Sequence, residues 1–402
     1  MSALRRASQF LANLEIWPVA FLVAASMVSS RVLPVAVGAA LLFWGIRWSA
    51  TGRLTVRTPA DGSIALLVLL LPVTLWTTAL PDVTLLQVYR LLSGIALYYA
   101  LANWATSPAR LRWVMMGTAL AGLALALGSP LSVEWPSGKI PLIPAELYKH
   151  FTLLVSDTVH PNVMAGSLVI LLPIPLAWLL FEGRQAGRFQ FFLSGFSVLV
   201  MIVVLFLTQS RGAWVALGVV LIALIALRWR WGWVGFPLGL LAGIGLASVF
   251  GFTRLIEIMA ASATIGGLDG RAEIWSRALY MIRDFPFTGI GMGSFGKVAD
   301  SLYPFFLYSP GSVPHAHNLF LQIAVDLGIP GLIAWTATLV LMIASAWKVY
   351  QVGRRAGVGW TAGLGAGLLC SQVALVVHGL FDAVTWGMVR PAPLVWVLWG
   401  LA

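Results

Sequence analysis

The chain has 402 residues, 60% of them hydrophobic and 10% charged, with 19 Trp, 40 Gly and a mean hydropathy of +0.92. So apolar a chain cannot cover itself with polar surface in water, which excludes a soluble globular protein and predicts an all-α polytopic membrane protein. The net charge of +11 does not point to nucleic acid, because the basic residues are scattered in pairs between apolar runs, the pattern of loop charges that set topology.

Arg5 and Arg6 precede an apolar stretch from Ile16 in the manner of a signal peptide, but the many spans that follow predict an uncleaved first helix. A window of about 19 residues predicts about twelve transmembrane helices, near 15–31, 32–47, 62–80, 83–104, 110–128, 161–181, 189–208, 212–228, 232–250, 329–347, 357–380 and 386–402. All belong to one membrane domain, 1–402. The basic turns Arg47/Arg53/Arg57, Arg110/Arg112, Arg184/Arg188, Arg228/Arg230 and Lys348/Arg354/Arg355 fall on one side with Arg5 and Arg6. By the positive-inside rule that side is cytoplasmic. The loops 129–160 and 251–328 and the turns near 208–211 and 381–385 then face outward. Cys370 is the single cysteine and lies in an apolar run, so no disulfide forms within the chain.

The outward segments hold the chemistry. Arg90 stands inside the fourth span and needs a partner or water. His160-Pro161-Asn162 opens the sixth span. Arg211, in Thr208-Gln209-Ser210-Arg211-Gly212, is either an arginine snorkelling to headgroups or a phosphate ligand, for which its fork is well shaped. In the long loop, Ile274, Trp275, Ala278, Leu279 and Ile282 form one helical stripe, with Asp269 as N-cap, predicting an amphipathic helix lying on the outer leaflet. Arg271 at its start either pairs with Glu273 or Asp269 or binds an anion with the helix N-terminus. Gly291-Met292-Gly293-Ser294-Phe295-Gly296-Lys297 mimics a nucleotide loop, but Val298 replaces the required Ser/Thr and no strand precedes it. It reads instead as a glycine turn after Pro286.

Next come His315 and His317, two of only five histidines, followed by Asn318, Gln322 and Asp326 at four-residue spacing. A second short helix is expected from about His317 to Leu327, broken by Gly328 and Pro330 before the span begins. Metal binding by His315 and His317 lacks a ready third ligand, since only Asp326 and the distant Asp382 offer themselves, and no metal is expected. Helix capping is the plain alternative; proton transfer suits an imidazole better. His378 and Asp382, near the outer end of the eleventh span, are candidates to line the same cavity. The small residues Gly359, Gly363, Gly365 and Gly367 read as close helix packing.

Four segments together resemble the O-antigen ligase and polymerase family: Thr208 to Ala213, Gly270-Arg271 to Trp275, Phe285 to Gly293, and His317-Asn318-Leu319-Phe320-Leu321 to Gly331. The family-like core covers 160–345, and the first five spans match only in topology. The resemblance implies a metal-independent, inverting glycosyltransferase of the bacterial cytoplasmic (inner) membrane with no cofactor, its site facing the periplasm. The donor would be an undecaprenyl-diphosphate-linked glycan. The acceptor would be lipid A-core for a ligase, the expectation adopted here, or a second carrier-linked glycan for a polymerase. A protein O-oligosaccharyltransferase ranks behind both. By the same resemblance His317 is the base and Arg211 and Arg271 hold diphosphate, with His315, Asn318, Gln322, Arg90, His160, Asn162, His378 and Asp382 as secondary candidates. Arginines stabilising a diphosphate leaving group can replace a metal, and no carboxylate pair of glycosidase spacing is evident. The competing class, a lipid-glycan transporter, would show charged or broken helices at mid-membrane in both halves.

Overall fold

The computed structural model describes residues 3–135, 145–151, 158–183, 187–250, 268–387 and 389–402. Arg184 and the loop stretch 251–267 lie outside the described residues, as does the side chain of Asp269. In chain order the helices are α1 (Ala3–Asn13), α2 (Ile16–Val28), α3 (Leu33–Thr51), α4 (Asp61–Thr77), α5 (Pro81–Trp104), α6 (Pro108–Ser132), α7 (Pro161–Leu171), α8 (Pro173–Phe181), α9 (Arg188–Leu207), α10 (Arg211–Arg228) and α11 (Gly235–Phe250). They continue with α12 (Leu268–Asp284), α13 (Phe295–Leu302), α14 (Leu319–Ala356), α15 (Gly359–Gly379) and α16 (Leu394–Gly400).

The protein is an all-α polytopic membrane protein. Among the described residues nine helices are long and apolar enough to cross a bilayer, with two shorter apolar helices, Asp61–Thr77 and Gly232–Gly245, beside them. Prolines at the first turn of α5, α6, α7 and α8 begin those helices where a missing N–H costs nothing. The core of the bundle is α15, which packs along α14, α8 and α10. Its small residues meet neighbouring backbone, as expected from the glycine spacing: a Cβ at Gly365 would lie 2.2 Å from the Tyr350 backbone nitrogen.

Two expectations need correction. The predicted span 386–402 is not a continuous helix: turns and a bend occupy 384–387, and the helix α16 has only seven residues. Non-helical backbone at membrane depth is tolerated because it is buried in protein, and Ala383–Gly387 and Leu394–Trp396 are all buried. Arg90, buried on α5, is the partner of this irregular stretch. It donates to the Gly387 carbonyl at 2.8 Å and to Gln87 Oε1 at 3.1 Å.

The second correction concerns α12. Its stripe does not face lipid. Ile274, Ala278 and Met281 are buried in a second core with Ile290, Phe295, Val298, Val313, Ala316 and Val325, while Leu279 points outward at 56% exposure. The helix α13 and the Val313–Ala316 segment supply the apolar partners; full burial of a Phe such as Phe295 contributes roughly 2–3 kcal/mol.

The short helix expected from about His317 is present: capped by Asn318, it runs from Leu319 to Leu327 and breaks at Gly328 (φ 72°, ψ −177°, non-helical), after which α14 continues as the span to Ala356. Glycines 289, 291 and 293 all have positive φ, and their turn is stapled to α14. Ile290 N donates to the Val325 carbonyl at 2.9 Å. Asp326, wholly buried, accepts from Gln322 Nε2 (2.9 Å), Trp386 Nε1 (2.8 Å) and Gly293 N (3.3 Å).

Candidate active site

At one end of the bundle the starts of α7, α10, α12 and α14 meet the end of α15, each bringing one candidate side chain. Asn318 caps α14: its Oδ1 accepts from Phe320 N (3.0 Å) and Leu321 N (3.1 Å), and its Nδ2 donates to the Leu380 carbonyl at 3.2 Å. The cap leaves His317 outside the helix in a left-handed conformation, φ 47°. Among the described residues Gln209 (φ 52°) is the only other non-glycine with positive φ. Such a backbone costs on the order of 1–2 kcal/mol and must be held by its surroundings. Gln322 Oε1 accepts the Ala316 N–H at 2.8 Å, between the two histidines. On the other turn, Gln209 Nε2 donates to Tyr148 Oη at 2.9 Å, and that hydroxyl donates to the Leu207 carbonyl at 2.8 Å.

The histidine rings stand 4.1 Å apart between centroids and converge on Asp382, which is 4% exposed. Its Oδ1 lies 3.5 Å from His317 Nδ1 and 3.7 Å from His315 Nε2, ion-pair contacts longer than ordinary hydrogen bonds. Burial alone would raise the Asp382 carboxyl. Hydrogen bonding to His317 and the charges of His315, His317 and His378 outweigh that and hold it far below the usual carboxylate range. Burial, then the neighbouring His317, pushes His315 down to about 4 despite Asp382. The tautomers follow from the contacts. His315 Nδ1 accepts the His317 N–H at 3.1 Å, so its proton sits on Nε2. His317 turns Nδ1 to the carboxylate, so Nδ1 carries its proton and Nε2 keeps the free lone pair.

Two guanidinium groups flank the cluster. Arg271 lies 5.8 Å over the Phe381 ring, next to Asp382, and interacts with that carboxylate. Burial lowers Arg271 from its ordinary value, with Asp382 and Tyr308 opposing. Arg211, first residue of α10, is close enough to Arg271 for their charges to repel. Gly212 lets the start of α10 come close to Phe381, the ring under Arg271: a Cβ there would lie 2.9 Å from Phe381 Cβ. A pair of repelling cations at converging helix starts is an arrangement that an anion relieves.

The secondary candidates divide. His378 accepts the N–H groups of Phe381 (2.9 Å) and Asp382 (3.0 Å) on its carbonyl and so fixes the turn that carries the carboxylate. His160 caps α7 through Asn162 N (3.2 Å) and interacts electrostatically with His315. Asn162 contributes its backbone N–H to that cap. Gln322 braces the histidine loop, whereas Arg90 has its partners on Gln87 and Gly387 and no described bond to the histidines. The capping reading thus fits Asn318 and His160, and His317 stands clear of it. Sequence reasoning missed Phe381 and Tyr308, for which an aromatic beside a loop gives no distinguishing signal.

The third ligand that spacing did not supply is present in space. Facing nitrogens of His315 and His317 and an Asp382 oxygen lie within 4.8 Å of one another. For His315 Nε2 to bind a metal, the proton that its Nδ1 contact requires there would have to be displaced.

No curated protein matches the chain. Residues 196–336, the stretch that holds Arg211, Arg271, His315 and His317, match the family described as O-antigen ligase, a glycosyltransferase-like family, and lie within a multi-pass membrane fold.

Proposed function

We propose that the protein transfers a glycan from undecaprenyl diphosphate to a sugar hydroxyl at the outer face of the bacterial cytoplasmic membrane. The observation that carries this reading is one carboxylate holding two histidines beside two clustered arginines, at the mouth of a helical bundle. Arg211 and Arg271 grip the diphosphate of the carrier, whose tail stays in lipid. His317 Nε2 takes the proton of the acceptor hydroxyl, and that oxygen attacks the anomeric carbon as the bond to diphosphate breaks. The anomeric centre inverts, and the arginines stabilise the departing charge without a metal. Asp382 fixes the His317 tautomer and stabilises the imidazolium that forms, the role a buried aspartate plays beside a catalytic histidine. His315 braces the loop by accepting the His317 N–H and donating toward Asp382. Lipid A-core as acceptor makes the enzyme a ligase; a second carrier-linked glycan would make it a polymerase acting through the same donor site.

Purified His317→Ala, assayed with lipid-linked donor and acceptor, should bind carrier normally and lose transfer by about 10²–10⁴-fold, the usual worth of general-base catalysis. His315→Ala should be milder. Normal turnover in His317→Ala, or a larger loss in His315→Ala, would overturn the assignment of the base.

A further inference from the structure

Tyr308 lies beyond every motif that the sequence offers, yet the outer loop is built to hold its ring. Glu273, one turn after Gly270 on α12, accepts the Phe306 N–H on Oε1 (2.6 Å) and the Leu307 N–H on Oε2 (3.0 Å). Arg277 donates from Nε to the Pro304 carbonyl at 3.1 Å, pairs with Glu273 at 3.4 Å, and lies 5.3 Å over the Phe306 ring. The two side chains fasten 304–307 to the face of α12. The next residue is Tyr308, whose ring meets Phe305 edge-on at 5.7 Å.

That grip delivers the phenol to the start of α12. A Cβ at position 270 would lie only 1.8 Å from Tyr308 Oη, so the glycine before Arg271 leaves the space the hydroxyl fills. The hydroxyl is within electrostatic reach of Arg271, an interaction felt by both groups. Among the described residues it donates no hydrogen bond, and the nearby Glu273 carboxylate is already committed to backbone N–H groups and Arg277. A half-buried phenol with a spare donor, next to a guanidinium at a helix start, is chemically suited to a phosphate oxygen.

We propose that the Tyr308 hydroxyl is a third donor to the diphosphate held by Arg211 and Arg271. The proposal rests on the diphosphate reading of those arginines and adds a ligand to it. The clamp of Glu273 and Arg277 makes the 304–308 segment part of the donor site, not a mere surface loop. Gly270 is required because any side chain there displaces the phenol.

The test uses the full-length protein in detergent with polyprenyl diphosphate and polyprenyl monophosphate as probes, comparing wild type, Tyr308→Phe and Arg271→Lys. Removal of one hydroxyl leaves the ring packing intact, so Tyr308→Phe should melt with wild type. Its affinity for the diphosphate should fall about tenfold or more, the usual effect of losing a hydrogen bond to a charged group. Its affinity for the monophosphate should fall less. Arg271→Lys should weaken diphosphate binding as well. Loss in Arg271→Lys with undiminished binding in Tyr308→Phe would overturn the tyrosine assignment and leave the arginine reading standing. Undiminished binding in both variants would remove the diphosphate reading itself. Equal losses for both probes in Tyr308→Phe would mean that the hydroxyl serves something other than the second phosphate, and would also overturn the proposal.

Discussion

Asp382→Asn isolates the charge at the centre of the histidine cluster. The substitution keeps the shape of the side chain, and the Ala383 N–H, which donates to Oδ1 at 2.8 Å, keeps an oxygen facing the imidazoles. What disappears is the negative charge 3.5 Å from His317 Nδ1. Two unit charges at that distance interact by about 5 kcal/mol at an effective dielectric of 20, the value that suits partly buried sites. Arg271, already paired electrostatically with Asp382, offsets part of this. If roughly half survives as stabilisation of the imidazolium formed during proton transfer, the barrier rises by about 2–3 kcal/mol, or on the order of 10²-fold in rate. Single-turnover transfer with saturating lipid-linked donor measures that step directly. Carrier affinity should stay the same or tighten, because an anion has been removed from beside two arginines. A wild-type single-turnover rate, or a loss confined to donor affinity, would refute the reasoning.

Arg211→Lys and Arg271→Lys should each lose most transfer, since an ammonium cannot reproduce a bidentate fork; wild-type rates in both would remove the diphosphate assignment. Gly289 has φ +66°, and a Cβ there would lie 2.5 Å from the Asp326 backbone, whereas Gly311 has φ +79° with open space around it. In thermal melts Gly311→Ala should cost about 1–2 kcal/mol from backbone strain alone, and Gly289→Ala should cost clearly more through overpacking. Equal melting would mean that the glycine turn is not stapled to α14. With Cys370 replaced by Ala, an impermeant thiol reagent on intact cells should label Pro310→Cys and spare Arg355→Cys; the opposite pattern would reverse the sidedness and move the site indoors.

The parts of this molecule that obey local rules were legible in the sequence. Apolar runs of span length, the proline-started helices and the break at Gly328 follow from residues within a turn or two of each other. Arg211, Arg271 and His317 were picked out as candidates for a similar reason, because charged groups at membrane boundaries stand out against an apolar background. The partner that organises the histidines stood out only as a secondary candidate for the same cavity. Asp382 lies 65 residues from His317 (382 − 317), and its role comes from α15 packing along α14, which no spacing encodes. The face of α12 was misjudged for a similar reason: its stripe predicts burial but not against what, and Ile274 and Ala278 bury against α13. The predicted final span, 386–402, failed because hydropathy averages over residues and cannot see that Arg90 satisfies the Gly387 carbonyl and Asp326 the Trp386 indole in an irregular stretch.

That irregular stretch has a consequence for how the protein is made. A seven-residue helix is too short to partition into lipid by itself, and turns at membrane depth expose unpaired peptide groups until they are surrounded. The segment 383–400 is therefore expected to settle only where α5, α14 and α15 already form a groove that carries Arg90, Asp326 and Gln372, each of which bonds to it. Asp382 heads that segment. The carboxylate that unites the histidines thus depends for its place on helix packing far from the site, and a defect at Arg90 or Gln372 should misalign the histidines without touching them.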